Sequence, residues 1–490
     1  MVTMVGMRFD EYVQYDAMGL AALVRAGEVT AHELLDVALE RAADTDDAIG
    51  AIVHVEEGVA RRAIDEGLPE GPFTGVPFLL KDLGCEAVDF PSSMGSRLFR
   101  DHHYGFDSEI FLRFRASGLN TFGRTTAPEG GVGPTTEAQV YGRPTRNPWN
   151  TGHVCGGSSG GSGAAVAAGV VPVAHGGDGG GSVRIPASNC GLFGLKPTRA
   201  LLPDGPASGE GWAGMAIDGM FSRSVRDHAA FLDACAGPDI GTPYYAPRYR
   251  PSAHATYLDA IASPPRRLRI AVSTRATTGQ AIHPDCVAAV EHTARLLESA
   301  GHEVVPAEPQ VPMEDFMRQW SLIVACGTQL MVDSRVAQLG RSEAGDDIEG
   351  VTRLACELAR GVSGAQYLAA VDFVHSVGRI MGRFLQEHDM LLTATMAEPP
   401  ALIGRFDPRR TDAWQSFLEY RLQHVLPYSP FTALANGTGQ PAMSLPLFVS
   451  AAGLPIGTHI VGRAGEDDVL LQLAAQLEQA DPWFLRRPPL

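Results

Sequence analysis

The sequence predicts an α/β protein that forms one large unit. Short apolar runs typical of buried strands alternate, along the whole chain, with longer stretches whose apolar residues recur at helical spacing. Neither a charge-rich linker nor an internal repeat divides the 490 residues. This alternation indicates a sheet covered by helices, so a single α/β domain over residues 1–490 is the simplest architecture.

The first segments have helical spacing. Asp16 is suited to cap a helix that ends near Gly27, and Thr30 with Glu33 forms a capping box before the next apolar stripe. We expect helices over about residues 8–66 to pack on the body of the protein. Together with a helical segment over about residues 313–386, they are expected to cover the substrate site.

The middle of the chain holds a strand that ends in a lysine and two clusters of glycine. Residues 76–80 are apolar and strand-like, and Lys81 follows them directly. A helix (107–117), a strand (120–125) and a long loop (126–150) come next. The clusters at residues 156–163 and 176–182 each contain a serine, and a predicted helix (160–170) and strand (171–175) separate them. Glycine lets a backbone approach a ligand closely, and exposed N–H groups suit an oxyanion.

The remaining elements continue the alternation of strands and helices. A capping box at Ser363–Gln366 precedes one of the long helices. The predicted strands are 267–273, 303–305, 390–394, 443–447 and 456–461. The predicted helices are 284–299, 313–339, 364–386 and 467–479.

Composition and charge limit the partners. Hydrophobic residues make up 45% of the chain and charged residues 19%, which fits a globular protein with a sizeable core. The net charge of −17 argues against nucleic acid or an anionic membrane as the partner of the lone chain. The seven cysteines are scattered and never form C-x-x-C, which argues against a disulfide framework or a zinc cage and favours a reducing compartment. Met1–Met7 has no signal-peptide pattern, so we expect a cytoplasmic enzyme.

The sequence offers little support for two kinds of site, an α/β-hydrolase active site and a metal site. The G-x-S-x-G pattern around Ser159 suits an α/β-hydrolase esterase, but residues 150–155 are a poor strand, and His375 and His459 downstream have no distinctive setting. His102 and His103 are adjacent and no H-E-x-x-H is present, so a surface loop is expected there, not a metal site.

A third arrangement joins Lys81, Ser158 and Ser182 in a proton relay. A lysine held in an apolar wall loses its proton more easily and becomes a base, whereas an ordinary strand-end lysine would reach water or pair with Asp82. The N–H groups of Gly179, Gly180, Gly181 and Ser182 would then hold the oxyanion. Asp178 and Arg184 flank the nucleophile with opposite charge, and we expect them to pair.

Several motifs at these positions resemble the amidase signature family. The chain reads GVPFLLKD through Lys81, GGSSGGSGAAVAAG through Ser158, and DGGGSVRIP through Ser182, with GLKPT downstream. The two serines are 24 residues apart, as in the family, and the motifs NGTGQPAMSLP and LPIG follow near the C-terminus. The resemblance implies a single α/β/α domain on a large mixed sheet, with no cofactor and no metal.

The same resemblance implies the chemistry and the roles of the residues. Acyl transfer to water would pass through an acyl-enzyme on Ser182, with Lys81 as base and Ser158 as relay after a cis Gly157–Ser158 bond. Ser159 would support the site. Cyclic amides of the 6-aminohexanoate-dimer type, aryl amides, esters and carbamates (urethanes) are the expected small-molecule substrates, and a homodimer is one oligomeric state to test. The A-subunit of a glutamyl-tRNA amidotransferase, a glutaminase within a complex, is the alternative.

The chain departs from the family pattern around the pocket. Gly177 and Gly179 stand where the family usually has a hydroxyl residue and an apolar residue, which predicts a more open, flexible oxyanion loop. Gly130 stands where a phenylalanine is usual, so the pocket wall should differ and Gly130 is a candidate substrate contact. Cys326, on a predicted helix, is a second candidate contact.

Overall fold

A computed structural model describes residues 6–410 and 413–490, so the first five residues of Met1–Met7 lie outside it. Eleven strands form one mixed sheet in the order β1-β3-β2-β6-β8-β7-β12-β13-β11-β9-β10, while β4 and β5 form a separate pair. This confirms the predicted α/β class. The strands are β1 Ile52–Val55, β2 Pro77–Lys81, β3 Asn120–Thr125, β4 Arg146–Asn147, β5 Asn150–Val154, β6 Ala174–Asp178, β7 Phe193–Lys196, β8 Ile217–Ser222, β9 Arg269–Val272, β10 Glu303–Pro306, β11 Met390–Ala394, β12 Ala442–Val449 and β13 Pro455–Val461.

Helices cover the sheet. They are α1 Phe9–Tyr12, α2 Ala17–Ala26, α3 Ala31–Ile49, α4 Glu57–Glu66, α5 Glu109–Ala116, α6 Gly160–Ala167, α7 Arg184–Cys190, α8 Val225–Cys235, α9 Tyr257–Ile261, α10 Pro284–Ser299, α11 Met313–Leu339, α12 Gly350–Arg360, α13 Gly364–Glu387, α14 Phe417–Glu419, α15 Leu426–Tyr428, α16 Thr432–Thr438 and α17 Asp467–Ala480. A π-helical turn, Tyr420–Val425, joins α14 to α15. Within the described ranges, no helix is long and apolar enough to cross a membrane.

Local signals in the sequence explain where several helices begin and end. Asp16 accepts the Gly19 N–H at the start of α2, and Gly27 ends that helix with a φ of 70°. The capping box of Thr30 and Glu33 forms as predicted at the start of α3. A second capping box, Ser363–Gln366, opens α13. Each cap satisfies N–H groups that have no partner inside the helix.

The strands β2 and β6 bring the site together. They are parallel neighbours, with Leu79 opposite Ala174. Every residue of β2 is buried, because helices cover both faces of the sheet at this point. The carboxyl ends of parallel neighbours lie at the same edge, so Lys81 at the end of β2 and Asp178 at the end of β6 come close to each other.

Two predicted elements differ from the structure. The strand predicted over residues 171–175 is found a few residues further along the chain, at Ala174–Asp178, where pairing with β8 begins at Ala174. The strand continues through two glycines, and glycine is rare in strands, so the sequence pattern did not extend the strand this far. Residues 150–154 form a strand although they were expected to be a poor one. That strand pairs with β4 and not with the main sheet, and its pairing depends on a turn inside the predicted long loop.

Candidate active site

A cavity of about 340 Å³ opens at the shared edge of β2 and β6. Lys81, Ser158 and Ser182 all line it. The side chain of Lys81 is buried and Ser158 is 2% exposed, whereas Ser182 is partly exposed. The three predicted residues therefore meet in one place, with Ser182 the most accessible of them.

Lys81 contacts the first of the two serines. Its Nζ lies 2.7 Å from the Oγ of Ser158. Burial lowers the pKa of Lys81 to about 7, although the charges of Asp218 and Asp178 act in the opposite direction. A substantial fraction of Lys81 is then neutral at pH 7, which a base requires. The alternative of a strand-end lysine that reaches water does not apply, because this side chain is enclosed.

The peptide bond before Ser158 is cis, as the resemblance implies. The neighbouring serine, Ser159, belongs to the first glycine cluster and contacts the second. Its N–H donates to the carbonyl oxygen of Ser182 at 3.2 Å, and its Oγ donates to the carbonyl oxygen of Gly177 at 3.2 Å. Ser159 thus ties the two clusters together through hydrogen bonds.

The loop after β6 presents free N–H groups. Among the hydrogen bonds of the described residues, none uses the N–H of Gly179, Gly180 or Ser182. The N–H of Gly181 is different, since it donates to Asp178 Oδ1 at 2.7 Å. Gly181 was expected to contribute to an oxyanion hole, and this bond removes its N–H from the available donors. Gly179, Gly180 and Ser182 keep theirs.

Asp178 holds this loop through a buried ion pair. Arg184 Nη2 donates to Asp178 Oδ1 at 2.8 Å and Arg184 Nε to Oδ2 at 3.0 Å, with both side chains fully buried. Asn436 Nδ2 adds a bond to Asp178 Oδ1 at 2.9 Å. Burial alone would raise the pKa of Asp178, but the charge of Arg184 and the hydrogen bonds from Arg184 and Asn436 hold it well below its usual value. The expected pairing is present.

The loop expected to be more open because of Gly177 and Gly179 is packed closely at Gly179, whereas a Cβ at Gly177 would make only an ordinary contact, 3.5 Å from Asp218 Oδ1. A Cβ at Gly179 would lie 2.7 Å from the Trp212 ring, and one at Gly180 would lie 2.9 Å from the Trp320 ring. The two tryptophan rings contact each other edge to face, with centroids 6.0 Å apart. The glycines therefore serve close packing under an aromatic cover.

The pocket wall includes Gly130, one of the positions where the sequence departs from the family pattern. Gly130 lines the cavity with a φ of 57°, and a Cβ there would lie 2.8 Å from the Cε of Met331. Met331 thus occupies the space that a larger residue at position 130 would need. It is joined in the wall by Gly327 and Thr328 of the same helix, α11.

Two expectations about the wall are not supported by this geometry. Cys326 precedes Gly327 but is not among the lining residues, because it packs with the apolar cluster around α11 and α13. No residue of helices α1–α4 lines the cavity either. Of the two helical segments expected to cover the site, residues 313–386 contribute through α11, while residues 8–66 pack on the core elsewhere.

The other chemical readings find no support in the described residues. Ser159 has its Oγ engaged by the Gly177 carbonyl, while His459 contacts Arg184 Nη1 at 2.9 Å and His375 lies exposed on α13. No base for an α/β-hydrolase arrangement therefore reaches Ser159. His102 and His103 lie in a loop, and the described part of the chain has no cluster of three or more potential metal ligands.

Sequence reasoning missed a pair of residues behind Lys81. His175 Nδ1 lies 3.2 Å from the backbone N of Lys81, and His175 Nε2 lies 2.9 Å from Asp218 Oδ1. Burial lowers the pKa of His175, although Asp218 opposes that effect. His175 could have been noticed because it is a polar residue at the end of the apolar run before the second glycine cluster. No local pattern marks Asp218, because it lies on β8 and only the pairing of β8 with β6 brings it close to His175.

Comparisons with known proteins agree over nearly the whole chain. The family described as Amidase matches residues 33–471. A 6-aminohexanoate-cyclic-dimer hydrolase from Paenarthrobacter ureafaciens is 38% identical over 482 residues, covering 97% of this chain and 96% of that protein. A solved structure of 6-aminohexanoate cyclic dimer hydrolase complexed with substrate has a TM-score of 0.92 at 36% identity, covering 97% and 99% of the two chains. A bacterial aryl acylamidase of the amidase signature family has a TM-score of 0.83 at 25% identity, covering 96% of each.

Proposed function

This chain belongs to the amidase signature family and is an amide hydrolase, and we propose that it acts through an acyl-enzyme formed on Ser182. The observation that carries the proposal is the contact of 2.7 Å between Lys81 Nζ and Ser158 Oγ, in a cavity that Ser182 also lines. A base of suitable pKa thus contacts one serine hydroxyl of the cavity that the accessible Ser182 also lines, which supports a relay through Ser158.

Acylation begins with neutral Lys81. Its lone pair accepts the proton of the Ser158 hydroxyl while Ser158 accepts the proton of Ser182, and the Ser182 Oγ attacks the carbonyl carbon. The carbonyl oxygen gains a negative charge, which the N–H groups of Gly179 and Gly180 are free to hold. One such donor is typically worth roughly 3 kcal/mol in the transition state.

Collapse of this intermediate breaks the C–N bond. The proton now on Lys81 returns through Ser158 to the leaving nitrogen, and the amine departs. A water molecule then loses a proton to the same relay and attacks the acyl carbon, which releases the carboxylic acid and restores the Ser182 hydroxyl. Every step uses residues of this chain and water.

The relatives and the cavity support a proposal for the substrate class. The similar proteins include one named for a cyclic amide dimer and one named as an aryl acylamidase. A cavity of about 340 Å³ falls at the lower end of the roughly 300–1,000 Å³ usual for small-molecule sites. We propose cyclic and aryl amides as the principal substrates. Carbamates and esters, which present the same carbonyl, are secondary.

A substrate panel with the purified lone chain tests this proposal. It contains a cyclic diamide, an anilide, an aryl carbamate and an ester, with mass detection of an acyl adduct on Ser182. Ser182→Ala should abolish adduct and turnover, and Ser376→Ala, an exposed serine on α13, is the matched control. If the lone chain is inert on the panel and releases ammonia from glutamine only with partner chains, the amidotransferase alternative holds instead.

A further inference from the structure

A second, smaller pocket adjoins the cavity at Ser182. It has a volume of about 30 Å³ and shares Gly131, Ser182 and Trp212 with the larger cavity. A single water needs roughly 10–15 Å³ of such space, so the pocket has room for about two oxygen-sized atoms. That space matches the two oxygen atoms of a carboxylate group.

Among the described residues that line this pocket, Arg421 is the only charged one. It is 6% exposed and lies in the π-helical turn Tyr420–Val425. Its guanidinium carbon lies 4.5 Å from the centroid of the Trp320 ring, in a cation–π contact. π-Helical turns inside helical segments frequently occur at functional sites.

Two N–H groups of residues that line this pocket have no acceptor among the described residues. Over residues 6–410 and 413–490, Arg421 makes no side-chain hydrogen bond or ion pair, and its Nε is buried without an acceptor. The Nε1 of Trp320 is likewise buried without an acceptor. Burial lowers the pKa of Arg421 to about 10, so the group stays cationic at neutral pH. A buried cation beside an unused N–H calls for an anionic acceptor, because leaving both unpaired is costly.

The larger cavity is lined by acidic residues, in contrast to the arginine of the small pocket. Four carboxyl groups line it besides Asp178, those of Glu86, Asp204, Glu210 and Asp218. Burial, and then the neighbouring charges of Asp218, Asp239 and Glu210, raise the pKa of Asp204 to about 8. An anionic group is therefore disfavoured in the larger cavity and favoured beside Arg421. The larger cavity has more room for a departing amine such as an aniline, so the small pocket suits the acyl part of the substrate.

We infer that Arg421 and the Nε1 of Trp320 bind a carboxylate on the acyl part of the substrate, a specificity that rests on the acylation of Ser182 proposed above. Among the aryl amides proposed above, the preferred substrates are then the monoamides that short dicarboxylic acids form with aryl amines. Their carboxylate occupies the small pocket, and their amide nitrogen leaves through the larger cavity. Arg421 is a specificity-determining residue in this arrangement.

A binding measurement tests the pocket without turnover. Succinate is titrated by calorimetry into Ser182→Ala and into the same variant carrying Arg421→Gln. Charge-assisted hydrogen bonds of this kind support an expected weakening of roughly ten- to a hundredfold. Arg318→Met, which removes an exposed cation from α11, is the matched control and should leave succinate affinity within about twofold. No binding to Ser182→Ala, or equal binding to both variants, would overturn the inference.

Kinetics with a matched substrate pair supply the second test. Succinanilic acid and butyranilide differ by a carboxylate in place of a methyl group. The wild type should prefer the acid through a lower KM, and Arg421→Gln should reduce kcat/KM for the acid alone. Trp320→Phe, which keeps the ring and removes the N–H, should give a smaller loss of the same kind.

The outcomes separate the two proposals. An equal loss on both anilides in Arg421→Gln would assign a packing role to Arg421 and overturn the inference. A wild type that cleaves neither anilide while Ser182→Ala still binds succinate through Arg421 would contradict the acyl-enzyme and leave the carboxylate site in place. Circular dichroism and thermal unfolding of each variant establish that it is folded.

Discussion

The Nζ of Lys81 lies 2.7 Å from the Oγ of Ser158, and both side chains are buried while Ser182 is partly exposed beside them. This order places the base at the protected end of the proposed relay and the nucleophile at the open end. Substrate can then reach Ser182 while water is kept from the lysine that must stay neutral. We therefore expect substitutions of these residues, and of residues in the neighbouring loop, to change activity and stability in different ways.

The pH dependence of hydrolysis should report the lysine. Only neutral Lys81 can accept a proton, and its pKa is about 7. We expect kcat/KM for a neutral anilide to rise about tenfold per pH unit below that value and to level off above it. The measurement is a pH–rate profile of the wild type between pH 5 and 9. A profile that is flat across this range would contradict Lys81 as the base.

Lys81→Met should remove activity and stabilise the fold. The pKa of Lys81 is lowered from 10.5 to about 7 on folding, so the unfolded chain binds this proton more tightly. Below pH 10.5 the lysine therefore costs stability, and the cost grows as pH falls towards 7. A tenfold weaker hold on the proton corresponds to about 1.4 kcal/mol, and we expect Lys81→Met to raise the free energy of unfolding at pH 7 by about 2–4 kcal/mol.

Urea unfolding at pH 7 and pH 10 checks this effect. The gain of Lys81→Met over the wild type should shrink at the higher pH, because removing the proton of the lysine on folding costs less free energy there. The exposed Arg318→Met variant controls for loss of a positive charge and should show no such dependence. A variant that is less stable than the wild type at both pH values would indicate that Lys81 is not desolvated as described.

Arg184→Met should destabilise the protein strongly. It leaves Asp178 buried without its cation, and breaking such a pair typically costs about 3–5 kcal/mol. Asp178 has a lowered pKa, so its contribution is present above the ordinary carboxyl value of 3.8 and is lost as pH falls below it. The deficit of the variant, measured by urea unfolding, should thus narrow below pH 4. A variant as stable as the wild type at pH 7 would show that the pair does not hold the loop.

Gly180→Ala should reduce activity more than stability. Its Cβ would lie 2.9 Å from the Trp320 ring, so the loop or the tryptophan must move. A displacement of this size of the N–H groups that we propose to hold the oxyanion is expected to lower kcat/KM by roughly ten- to a hundredfold. Gly382→Ala on α13, where a Cβ meets nothing within 4 Å, is the matched control. Equal activity of the two variants would exclude a requirement for glycine at position 180.

The sequence predicted the parts of the site that depend on local patterns. Lys81 could be placed because an apolar run stops at it, and α3 and α13 because capping boxes open them. Arg421 and Trp320 could not be found this way. They come from separate helical segments, and only the packed fold brings them to the pocket beside Ser182. Asp218 was missed for the same reason, since its relation to His175 depends on the pairing of β6 with β8.

The positions of Trp212 and Trp320 have a practical consequence. One ring lines both pockets and the other lines the smaller one, and they are two of the five tryptophans in the chain. Intrinsic fluorescence should therefore respond when either compartment fills. The protein carries its own optical reporter, so a stopped-flow instrument can separate ligand entry from bond cleavage without a chromogenic leaving group.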